Sequence, residues 1–199
     1  MAPRDEHPDI QDFLKWVRDN SENAISAPNT EKRAAFMPLN TIKEHFKEDD
    51  GARLKELLAA VFSPDNPPVD PDTILKNYTQ IFCILMEIGK CRFIGSFICR
   101  ENGDSKLPFE PDGAPPHFPT DTDDPNFYKK FCKKQWKFCV PELESPMKDI
   151  HFHPDRILPI VSKKVITASG SAMLYKIQLH DSYNKLSSQA SQGAVWHDV

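Results

Sequence analysis

A chain of 199 residues can hold one domain with a substantial core, or one domain plus an appendage, and at 39% hydrophobic residues its composition is that of a globular protein. The net charge of −4 offers no concentrated basic surface for neutralising phosphates, so nucleic acid is excluded as an expected partner. No apolar run approaches the ~20 residues that span a bilayer, and the opening residues lack the apolar centre of a signal peptide, which predicts an intracellular chain, cytoplasmic or nuclear, with no membrane association.

In chain order, Ile10, Phe13, Leu14 and Val17 recur at helical spacing beside Trp16 and predict a helix from Asp9 to Asn20. The polar stretch Ser21 to Thr30 reads as a loop. Asn40 or Thr41 can cap a helix carrying Ile42 and Phe46, and Thr41 with Glu44 has capping-box spacing. After Gly51, the residues Leu54, Leu57, Leu58, Val61 and Phe62 form an apolar stripe that must end by Pro64. The clearest helix runs from Pro71 to Lys90: Asp70 caps it, Pro71 sits where its missing N–H costs nothing, and Ile74, Tyr78, Ile81, Phe82, Leu85 and Ile88 cover most of its circumference. Such a helix belongs at the centre of the domain.

Phe93, Ile94, Phe97 and Ile98 predict a second, shorter apolar helix. Residues 100–123 carry prolines at 108, 111, 115, 116 and 119 and read as an extended connection. Pro108 to Pro111 and Pro116 to Pro119 match the spacing read by polyproline-binding domains, but Phe109 and Phe118 favour a strap laid across the helical core. Asp124-Pro125 again supplies a cap and a first-turn proline, opening a helix that carries Phe127, Phe131, Trp136 and Phe138.

On that helix Lys129, Lys130, Lys133, Lys134 and Lys137 read as a solvated face rather than a binding patch. The cysteines at 83, 91, 99, 132 and 139 are odd in number and read as reduced thiols. A zinc site built from Cys132, Cys139, His151 and His153 would lack the paired spacings with which a short segment grips the ion, so no metal is expected.

Toward the C-terminus, Val161 to Ile166 and Ala172 to His180 are β-rich runs flanking Thr167-Ala168-Ser169-Gly170-Ser171, the pattern of two antiparallel strands and a tight loop. In the second run Met173, Tyr175, Ile177 and Leu179 share an apolar face, expected to be buried. The segments Phe131 to Glu144, Arg156 to Val161, Gly170-Ser171-Ala172, Leu174 to Ile177 and His180 resemble the N-terminal part of a group of fungal protein-kinase-domain proteins. That resemblance extends back to about Asp70 and fades after Leu186.

The resemblance implies that Thr167, Ser169, Gly170, Ser171 and Ala172 correspond to the glycine-rich loop that covers nucleotide in a kinase. Thr167, Ser169 and Ala172 stand where glycines belong, which makes the loop degenerate, an ATP-binding remnant of pseudokinase type. The sequence contains no V-A-I-K-like strand lysine after Leu186, no H-R-D and no D-F-G segment. No catalytic residue, metal or cofactor is therefore assigned, and ATP with magnesium would enter only if a parent protein carried the catalytic lobes.

The expected architecture is mainly α: a helical domain of five to six helices with a C-terminal β-hairpin resembling the first two strands of a kinase N-lobe. Its expected parts are an N-terminal helix and flexible segment over 1–30, a helical domain over 31–155 with a strap at 100–123, the hairpin over 156–186 and a flexible tail over 187–199. The function this implies is a non-catalytic regulatory or interaction region of a truncated or degenerate kinase-like protein, with a protein partner of unstated identity. The alternatives are the leading part of an active Ser/Thr kinase and a free-standing interaction protein.

Overall fold

Apolar residues at helical spacing produce the first element as expected. Ile10, Phe13 and Val17 lie buried along helix α1, Pro8–Asp19, one residue earlier in onset than the sequence pattern because Pro8 takes the first turn. The computed structural model describes residues 7–25, 32–62, 69–144, 152–169, 172–186 and 195–197. Within it the chain divides into two units, one formed by Met1–Ser21 with Met37–Cys139, the other by Glu22–Phe36 with Val140–Val199.

The first unit is helical. Helix α2, Leu39–Val61, is broken at Glu48 to Gly51, where Asp49, Asp50 and Gly51 take left-handed backbone (φ 52°, 56° and 77°), so the two expected helices are present but joined through a kink. Its start differs from the capping-box reading. Pro38 precedes the first turn and no side chain caps it, so Thr41 and Glu44 lie inside the helix. Ile42, Phe46, Leu54, Leu57, Leu58 and Val61 all turn inward.

Asp70 caps the next helix as its position predicts, its carboxylate accepting the backbone N–H of Asp72 and of Thr73 at 3.2 Å each. The long helix expected over 71–90 is not continuous. One turn, α3 (Pro71–Thr73), opens into a π-helical stretch at Ile74–Tyr78 before helix α4, Thr79–Glu87. The wider turn frees backbone groups that other side chains then satisfy. The Thr79 hydroxyl lies 3.0 Å from Ile74 O and 3.2 Å from Leu75 O, while the Asp104 carboxylate accepts the N–H of Gln80 and of Ile81 at 3.0 Å. Gly103 makes this approach possible, since a Cβ there would stand 3.0 Å from Asn77 O.

Helix α5, Ile94–Cys99, follows, and the proline-bearing segment then straps the unit as expected. Phe109 and Phe118 are buried, and they meet Phe131 at ring separations of 5.6 and 5.5 Å. Fully buried Gln135 fastens the strap in both directions, donating to Phe109 O and accepting from Phe109 N–H at 2.8 Å each. Gln135 belongs to helix α6, Phe127–Gln135, which begins two residues after Pro125 and ends before Trp136 and Phe138. Asp124 still shapes its entry by accepting the N–H of Asn126 at 3.2 Å.

The second unit is built from strands. The expected polar loop over 21–30 is a strand in its first half: β1, Glu22–Ile25, pairs antiparallel with β2, Arg33–Phe36, in the register Glu22↔Phe36 to Ile25↔Arg33. Residues 26–30 lie outside the described part. Ala24 and Phe36 pack with Val140, Ile157 and Tyr183, and Ile25 packs with Leu143, Leu158, Ile160 and Leu179. Backbone bonds close the unit, from Leu158 N–H to Ile25 O at 3.0 Å and from Leu143 N–H to Tyr183 O at 2.9 Å.

The hairpin is present, with β3 (Ile160–Ser169) and β4 (Ala172–Leu179) antiparallel. A third strand, β5 (Val195–His197), pairs with β4 at Leu174 to Lys176, within the segment expected to be a flexible tail. The protein is thus mixed, helices carrying most of its regular structure. Among the described residues no helix is long and apolar enough to cross a membrane.

Candidate functional site

The hairpin is the place to look for function, because the sequence-derived site lies at its turn and its own chemistry is unusual. Register runs from Ile160↔Leu179 outward to Ser169↔Ala172. Thr167 stands opposite Leu174, and Ser169 opposite Ala172, so three of the expected loop residues are ladder positions. Gly170 and Ser171 lie outside the described residues. A phosphate-covering turn needs amide groups that arch clear of the ladder. Here β-branched Thr167 instead extends the strand, as its propensity favours.

Two irregularities on β3 decide which side chains share a face. Between Ile160 and Ser162, and again between Val165 and Thr167, β3 advances by two residues while β4 advances by one, so Val161 and Ile166 are bulge residues. The bulges carry Lys163 and Val165 onto the face of Ile160, together with Ile177, Tyr175 and Met173 of β4. Ser162, Lys164 and Thr167 share the other face with Gln178, Lys176 and Leu174.

The apolar face is only half covered. At its base Ile160 and Leu179 are buried in the core of the second unit, with Ile177 packed against it. Further out, Val165 is 57% exposed, the bulge residue Ile166 54% and Met173 49%. The expectation that Met173 belongs to a buried face is therefore corrected, since a face shared along one strand can leave its core partway. Lys163 places its ammonium 3.7 Å from the centre of the Tyr175 ring, a cation–π contact that dresses the same face with positive charge.

On the opposite face Lys164 and Lys176 are direct cross-strand neighbours. Like charges in that arrangement repel. From Ile157 to His180 the chain has lysines at 163, 164 and 176 and no aspartate or glutamate. Among the described residues no carboxylate pairs with Lys164 or Lys176. His180 at the base acts as a local cap. Its Nδ1 accepts the N–H of Ser182 at 3.2 Å, so Nε2 carries the proton toward Glu22, 3.1 Å away.

The other sequence candidates have structural roles. Lys130 pairs with Asp124 at 2.7 Å, and Lys134 and Lys137 converge on Glu87 at 2.9 and 2.6 Å. Burial disfavours a charge on Glu87, but the two ammonium groups outweigh it and hold its carboxyl below the usual range. Much of the basic cluster is thereby consumed within the protein. Cys83 and Cys132 are buried, and burial pushes both thiols up, away from the thiolate that metal binding or nucleophilic chemistry requires. Among the described residues no three His, Cys, Asp or Glu side chains gather as a metal site, and His151 lies outside them.

Sequence reasoning overlooked Val165 and Ile166. The signal available for them was compositional: a run of apolar residues and lysines with no acid, longer than a two-stranded ribbon can bury. Comparison of the chain with models of protein families, with curated proteins and with solved structures found no match.

Proposed function

We propose that this chain is a non-catalytic interaction region of degenerate kinase-like descent, whose contact surface is the outer half of the β3–β4 ribbon. The observation that carries the reading is the exposure of Val165, Ile166 and Met173 on a strand pair otherwise rooted in a core. Exposed apolar side chains grouped on one element favour association, because covering them removes apolar surface from water. Kinase descent rests on the resemblance over Arg156 to His180, and the antiparallel pairing about Gly170-Ser171 agrees with it.

A photo-crosslinking residue at position 165 tests the contact surface. It is expected to capture a polypeptide that the same residue at exposed position 129 does not, and failure to label selectively from 165 would count against the reading.

The same exposed face favours one second reading, that the chain is the leading part of a Ser/Thr kinase whose further strands cover the ribbon. A thermal-shift titration with Mg-ATP separates the two. The interaction reading expects no stabilisation at millimolar nucleotide, and a saturable rise would support the kinase reading.

A further inference from the structure

We infer that the partner presents an extended segment in which acidic and apolar residues alternate, and that it adds as a strand to the free side of β3. The inference rests on the interaction reading above and gives the partner its chemistry. In the sheet order β3-β4-β5, strand β4 is flanked on both sides, whereas β3 is an edge strand paired among the described residues with β4 alone. An edge strand is a template for a further strand, whose side chains then fall alternately on the two faces of the sheet.

The two faces of β3 make opposite demands. On one, Val165 is exposed beside Tyr175 and Met173 while the Lys163 ammonium is drawn onto the Tyr175 ring, and the position of Val165 suits an apolar neighbour. On the other, Lys164 faces Lys176 with no acid in the ribbon to relieve the repulsion, and it suits a carboxylate. A strand alternating glutamate or aspartate with valine, isoleucine or leucine satisfies both faces in one register. The bulges at Val161 and Ile166 bound the regular edge to Ser162 to Val165, so the complementary segment is short. At the base of that edge the Arg33 guanidinium already donates to Val161 O at 2.9 Å. A second copy of this ribbon is a poor occupant, since it would bring lysine against lysine.

The test is fluorescence anisotropy of the full chain with labelled peptides of about seven residues, long enough for one strand. One peptide alternates glutamate with valine and the other lysine with valine. The Glu–Val peptide is expected to bind saturably and to weaken roughly tenfold when salt is raised from ~0.05 to ~0.5 M. The Lys164→Glu/Lys176→Glu variant is expected to lose the Glu–Val peptide and gain the Lys–Val peptide. Val165→Asp is expected to weaken Glu–Val binding in the otherwise unchanged chain.

Equal binding of both peptides, no binding of Glu–Val, or no exchange of preference in the charge-reversed variant would overturn the inference. So would displacement of the peptide by phosphatidylserine–phosphatidylcholine vesicles but not by phosphatidylcholine alone, which would make the lysines a lipid-facing group. If selective crosslinking from position 165 persists while the Glu–Val peptide fails, the interaction reading stands and the partner's chemistry is wrong. If both fail, the reading itself falls.

Discussion

Asp104 closes the break in the central helix, and the environment that lets it do so alters its own proton affinity. Burial pushes its carboxyl up to about 6, against the amide hydrogen bonds from Gln80 and Ile81 that favour the charged form. Because the folded value lies above the ordinary carboxyl value, the native state holds a proton that the unfolded chain has released. This group therefore adds stability as the pH falls through about 6 toward 4, and withdraws it as the pH rises. Asp104→Asn removes that titration, so the wild type should gain about 1 kcal/mol relative to the variant between about pH 7 and about pH 5. Denaturant midpoints across that range measure it, and a constant difference would contradict the assignment. Gln135 is a sharper case, since both of its amide atoms are bonded to Phe109. Gln135→Ala orphans a buried N–H and a buried carbonyl and should cost about 2–4 kcal/mol in urea denaturation. Gln135→Glu should be no better, having no N–H to donate to Phe109 O and a carboxylate to bury.

Among the elements, the ribbon combines a core strand pair and an exposed one in a single hairpin. Leu179→Ala, at its buried base, should destabilise by about 2–5 kcal/mol, whereas Val165→Ala should change stability by no more than about 0.5 kcal/mol. Comparable losses from both substitutions would mean that Val165 is packed. In the helical unit Phe131 stands among Phe97, Phe109 and Phe118, and Phe131→Ala should cost about 3–5 kcal/mol. These elements were legible in the sequence to different depths for physical reasons. Asp70-Pro71 announced its helix because capping is settled within one turn of chain. The π-helical stretch at Ile74–Tyr78 was not legible, since the carboxylate that compensates it arrives from Asp104, far along the sequence. The hairpin showed itself through β-rich runs about small residues, but the bulges that set its faces leave no mark in composition. Strand β1 was missed because its outer residues, Glu22 and Asn23, are polar, and most of the core that its inner pair joins comes from residues more than a hundred positions away.

For the whole molecule, the consequence is a second unit assembled from two stretches of chain separated by Met37–Cys139, the larger part of the helical unit. Ala24, Ile25 and Phe36 complete its apolar clusters, so a fragment of residues 140–199 lacks part of its core and should give the collapsed amide dispersion of an unfolded chain in an NMR spectrum. A dispersed spectrum from that fragment would mean that β1 and β2 are dispensable. The site itself was legible only as a location. The sequence pointed to the hairpin through its resemblance to a kinase loop, while the exposed apolar residues and the unrelieved lysine pair depend on register and burial that periodicity alone does not give. The ribbon is rooted at its base and exposes apolar side chains along its outer half. Residue-resolved hydrogen exchange over 160–179 tests this most directly. Along β3 exchange should be slow near Ile160 and rise steadily toward Thr167, while β4 keeps protection at Leu174 to Lys176, where β5 pairs with it; equal protection along the whole of β3, or none at its base, would contradict this picture.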